Sequence, residues 1–165
     1  MVESKMQNRT SKISNVENFE VKDAMKYPQS LEDEVAQWPG ISVHAHRFGG
    51  REFLLGKAEV GHVHSNGVVD VPFPRPIRDA LLAEGLAEEH YWVPDSGWTT
   101  FRIRTEKDLA HARWLLRLSY LRYVLKEDPD PLIRFERESE ALALSPRLRG
   151  LLEVFVQPPM VGRSG

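Results

Sequence analysis

Asn66-Gly67 sits between two short apolar runs, "AEVGHVH" and "VVDVPF", and this dipeptide constrains the fold more than any other feature of the chain. Asn-Gly favours the tight turn that joins antiparallel strands, because both residues tolerate positive φ. The pattern recurs upstream. "ISVHAHRF" alternates and closes on Gly49-Gly50, and "REFLLG" precedes the run at Ala58. Four short strands in succession predict an antiparallel meander.

Helical spacing takes over after the meander. "PRPIRDALLAEGL" reads as a helix, with Pro76 tolerated in its first turn and Gly85 at its C-terminal end. "EEHYWV" and "WTTFRI" read as strands around a "PDSG" turn. "TEKDLAHARWLLRLSYLRYVLK" is the long helix of the chain. Thr105 caps it and Asp108 completes a capping box, while Leu109, Ala112, Leu115, Leu116, Ser119 and Tyr123 follow helical spacing. Near the start, Ser30 reads as the cap of a helix over "LEDEVAQW" that stops at Trp38-Pro39-Gly40. Beyond Lys126, "EDPDP" breaks the chain before two short helices, or a helix and a strand.

The predicted class is α+β: a small antiparallel sheet of about five to six strands packed against helices. Three parts are expected. Residues 1–28 form a flexible N-terminal arm, 29–125 the α+β domain, and 126–165 a C-terminal accessory segment.

Composition removes several function classes. The 165 residues contain no cysteine, which excludes disulfides, thiolate metal sites and a cysteine nucleophile. The formal charge of −2 gives no electrostatic reason to expect nucleic acid or an anionic membrane. No apolar run approaches the roughly 18 residues of a membrane span. The first residues lack the apolar centre of a signal peptide, so a cytoplasmic location is expected. Neither a phosphate-loop pattern nor a G-x-S-x-G elbow occurs.

The chemistry-bearing residues cluster around the Asn-Gly turn. His62 and His64 lie at i and i+2 on one strand, so they project to the same face. Simple alternation puts Val60 on that face and Glu59, Gly61 and Val63 on the other. His44 and His46 make a second H-x-H on the first strand, and His90 follows the second helix. Three readings are open: incidental surface histidines, a metal site needing a third ligand such as His90, or metal-free acid–base work near neutral pH. Glu59 and Asp70 are placed to orient an imidazole. Asp70, embedded between Val69 and Val71, needs a partner. Trp92 and Trp98 could wall a flat pocket.

Taken in order, "AEVGHVH", "RDALLAEGLAEEH", "GWTTF" and "LLRLSYLRY" resemble the luciferase domain of fungal bioluminescence, over about residues 30–124. Glu59, His62, His64, His90, Trp98, Thr99 and Phe101 fall on matching positions. The resemblance implies a soluble, luciferase-like oxygenase with no metal, flavin or nicotinamide and with O2 as co-substrate. It implies a hydroxy-pyrone or related phenolic substrate of the 3-hydroxyhispidin type. His62 or His64 would be the base, with His90 and Glu59 completing the catalytic group. Asp70, Trp92, Trp98, Phe101 and His46 would contact the substrate. The expected partner is a small molecule, not nucleic acid or membrane. A binding domain without turnover and a histidine-metal protein are the alternatives.

Overall fold

The computed structural model describes residues 26–156. The expected arm falls outside them up to residue 25. From residue 26 the chain is already helical: α1 covers residues 26–35, so Tyr27-Pro28 lies inside the helix instead of ending a polar arm, and Ser30 is a mid-helix residue and not its cap.

Six strands form one sheet in the order β1-β2-β3-β4-β6-β5, every neighbouring pair antiparallel. They are β1 (Ile41–Ala45), β2 (Arg51–Leu55), β3 (Ala58–Val63), β4 (Val68–Pro72), β5 (Glu88–Glu89) and β6 (Trp98–Arg102). The first four are the expected meander. Two strands are shorter than their alternation suggests. β1 ends at Ala45, so His46 enters the turn, and β5 is only two residues, which leaves His90 to Gly97 as a loop.

The helices are α2 (Arg75–Ala83), α3 (Glu106–Val124), α4 (Pro131–Ala141) and α5 (Pro146–Leu152), with a 3-10 turn over Glu153–Phe155. α3 begins on the reciprocal capping box of Thr105 and Asp108. It packs across β3, β4 and β6. Phe53, Val60, Val63, Val69 and Val71 supply the sheet's share of the core, and Leu115, Leu116 and Leu118 the helix's. The segment beyond Lys126 joins the same core through Phe135, Leu148 and Leu152. It is tied to α3 where Arg117 makes a two-point ion pair with Glu138 and the Trp114 indole donates to the Leu142 carbonyl. Among the described residues, no helix is long and apolar enough to cross a membrane.

Candidate functional site

The face of the sheet turned away from α3 carries the polar residues. Residues directly opposite one another in an antiparallel sheet share a face. One such row crosses all six strands: His44, Glu52, His62, Asp70, Thr100 and Glu88. Trp98 stands two residues before Thr100 and shares its face.

Glu59 reaches this face through a bulge. Phe53 pairs with Gly61, but Leu54 pairs with Glu59, so Val60 is an extra residue in β3. One inserted residue reverses the alternation. Glu59 therefore shares the face of His62, and Val60 turns into the core with no exposed surface. This corrects the assignment that simple alternation makes for both. Gly61 permits the bulge: its φ is +156°, and a Cβ there would stand 2.9 Å from the Asp70 carbonyl oxygen and 2.6 Å from Leu116.

Asp70 is the hub, 4% exposed. Its Oδ2 lies 3.2 Å from His62 Nε2, 3.0 Å from His64 Nε2 and 3.6 Å from His90 Nε2. The Thr100 hydroxyl donates to Oδ1 at 2.5 Å. Burial would raise the Asp70 pKa, but the donors His62, Thr100 and His64 outweigh it and hold the pKa down at about 2. His62 is 6% exposed, and its other nitrogen, Nδ1, lies 2.6 Å from Glu59 Oε1. Burial opposes a charge on this ring. Hydrogen bonds to Asp70 and Glu59, with their negative charge, overcome that opposition and raise its pKa to about 9. At neutral pH His62 is thus an imidazolium with both N–H groups committed to carboxylates.

His46, from the β1–β2 turn, lies flat on His62, with ring centroids 3.9 Å apart and planes 16° from parallel. Its pKa is lowered, first by burial and then by the charge on His62. Its Nδ1 is buried and has no hydrogen-bond partner. Gly50 makes room for this approach. It has φ +89° and is backed so closely against β3 that a Cβ would stand 2.0 Å from the Val63 carbonyl oxygen. His90 is oriented by its own loop, because its Nδ1 accepts the Trp92 N–H at 3.2 Å, which leaves Nε2 to carry the proton toward Asp70. The Trp98 ring stands 5.3 Å from His62 and 6.2 Å from His90.

The structure thus brings together His46, Glu59, His62, His64, Asp70, His90 and Trp98. It leaves three expected residues apart. His44 is exposed and paired with Ser42. Phe101 faces the core side, 4.7 Å from His111, because it is one residue out of phase with Thr100. Trp92 is 81% exposed on the loop, its ring against Tyr91. Thr100 was missed from sequence. Thr99, the threonine singled out there, bonds to the Val71 carbonyl on the core side. Alternation from Trp98 was the available signal, since i and i+2 share a face.

Ring nitrogens of His46, His62 and His64 lie within 4.8 Å of one another, close enough to raise the question of a metal. A second group of ligand atoms, from His46, Glu52 and Glu59, lies within the same reach; of the two, it is the first that suits an ion poorly. Both nitrogens of His62 face carboxylates, and near-parallel rings cannot aim their lone pairs at one ion about 2.0–2.1 Å from each. What the cluster can do is proton chemistry: a fixed imidazolium beside His46, whose pKa is lowered by burial and by that charge.

Residues 57–119 match the family model described as Luciferase domain. No curated protein and no solved structure matches the chain. The matched segment carries Glu59, His62, His64, Asp70, His90, Trp98 and Thr100, and stops short of His46 and Glu52 on the other side of β3.

Proposed function

We propose that this chain, whose residues 57–119 match the Luciferase domain family model, is a metal-free oxygenase of enolisable hydroxy-pyrones or related phenols. The observation that supports this reading is the His62 imidazolium held between Glu59 and Asp70, with the His46 imidazole stacked on it and held neutral. A flat substrate with an acidic hydroxyl loses its proton to a neutral imidazole. The enolate that remains is stabilised by the fixed positive charge of His62, a group that needs no reorganisation as the anion forms. The enolate carbon gives up electrons to dioxygen and a C–O bond forms. The peroxide oxygen then attacks the ring carbonyl, the ring C–O bond breaks as the four-membered peroxide closes, and cleavage of its O–O and C–C bonds releases carbon dioxide. One oxygen atom of dioxygen leaves in carbon dioxide, the other stays on the product as a carbonyl, and all the electrons come from the substrate, so no redox cofactor enters the balance. His62 itself is not the base, because its lone pairs are occupied. It is the cation that holds the anion.

The test is oxygen uptake and light emission with 3-hydroxyhispidin, using untagged protein of measured metal content. The expected result is stoichiometric oxygen consumption without stoichiometric metal, and a loss of about 10²–10³-fold in kcat for His62→Ala. Binding without oxygen uptake would make the protein a binding domain. One tightly held metal per chain, required for turnover, would overturn the metal-free mechanism.

A further inference from the structure

Four imidazoles meet at this site, and their hydrogen bonds divide the work among them. His62 donates from both nitrogens to carboxylates. His90 accepts the Trp92 N–H at Nδ1 and turns Nε2 toward Asp70, so neither nitrogen offers a lone pair. His64 is tied to Asp70 through Nε2 at 3.0 Å. His46 makes no side-chain hydrogen bond at its buried Nδ1. A buried, unmet polar atom is destabilising, so a stable fold keeps few of them without a reason. Here the reason is at hand. The ring stacks on an imidazolium 3.9 Å away, which disfavours a second charge and keeps His46 neutral with a lone pair available.

We propose that His46 is the catalytic base: its ring accepts the proton of the substrate's acidic hydroxyl at Nε2, the nitrogen that is not buried, and the ligand is bound as its anion before oxygen reacts. The assignment rests on the oxygenase reading for its substrate class. It follows from placement. His46 lies in the turn beyond edge strand β1, held by backbone bonds to Gly49 and Gly50 and by ring contacts alone. It can meet a ligand without disturbing the bonds that converge on Asp70. In the transfer the substrate O–H bond breaks and an N–H bond forms on His46. The new anion then lies against His62, and the two like-charged rings are separated electrostatically by the charge it carries. The charged or titratable groups facing His46 are His62, His64, Glu59 and Glu52, so its proton affinity reflects all four.

Anaerobic titration with 3-hydroxyhispidin reads the step without turnover, since the enolate absorbs at longer wavelength than the enol. Wild-type protein at pH 6.5 is expected to bind the enolate. His46→Gln is expected to bind the neutral enol instead, and in air to lose about 10²–10⁴-fold in kcat with KM changed little. Unchanged near-UV circular dichroism and melting temperature show that the variant is folded, and His46→Asn serves if it is not. Ionisation on binding with no oxygen uptake would retain His46 as the proton acceptor and sink the oxygenase reading. Oxygen uptake and ionisation equal to wild type in His46→Gln would retain the oxygenase and overturn the assignment of His46. Failure of the wild-type protein to bind or consume this ligand would overturn both.

Discussion

Asp70 is one carboxylate with three imidazoles and a hydroxyl turned toward it. Its bond to His62 links stability to pH in a definite direction. The His62 pKa is raised from 6.5 to about 9, so its contribution is complete below 6.5 and is lost as pH climbs through 9. The Asp70 pKa is lowered from 3.8 to about 2, so its contribution is complete above 3.8 and is lost as pH falls toward 2. The same ion pair produces both shifts, and they are not to be added. The chain is expected to be most stable between these limits and to lose on the order of 3 kcal/mol between pH 6 and pH 9.5. Urea unfolding at the two pH values measures it. In Asp70→Asn most of that loss should vanish, with a lower stability throughout, because the amide no longer favours a charged His62. A decline of equal size in the variant would show that other groups titrate in this range.

At the scale of the elements, two backbone devices assemble the site. The bulge at Val60 turns Glu59 toward His62, and Gly50 lets β1 and β2 close on β3 so that His46 lies on His62. Gly49 and Gly50 make a useful pair, since both have positive φ, +86° and +89°. A Cβ at Gly49 meets nothing, whereas at Gly50 it would stand 2.0 Å from the Val63 carbonyl. Gly49→Ala should cost about 1 kcal/mol of conformational strain. Gly50→Ala should cost several times more, since backbone must move, and should also part His46 from His62. Equal melting temperatures for the two variants would mean that the turn relaxes freely. The elements themselves were legible in the sequence. Turn residues, alternation and the Thr105–Asp108 box are local signals, and they located the meander and α3. Glu59 was misplaced because a bulge is set by pairing with β2, which no run of β3 residues encodes on its own. Phe101 was misplaced although it lies at an odd offset from Trp98, which by strand alternation puts the two on opposite faces.

For the molecule as a whole, the segment beyond Lys126 belongs to the core. Phe135 is 1% exposed, and Leu148 and Leu152 are fully buried. Each buried side chain of this size contributes about 1.5–3 kcal/mol, and three together approach the roughly 5–15 kcal/mol that holds a whole domain folded. A chain ended at Lys126 should therefore show no cooperative urea transition and an exchange-labile α3. A sharp transition near the full-length midpoint would make the segment an appendage after all. The site is remote from α4 and α5, yet it depends on them: α3 supports β3 and β4 from behind, and those strands hold His62 and Asp70 in register.

Local chemistry was enough to specify an α+β chain, its turns, its capped helix and the histidine-rich strand, because each depends on residues within a few positions of one another. The grouping of Glu59, His46, Thr100 and His90 around His62 and Asp70 was settled by strand pairing across the sheet. So was the charge on His62, since it requires two carboxylates, one from each side of the ring. A histidine becomes a fixed cation or a waiting base according to what lies opposite it, and that neighbour comes from another strand.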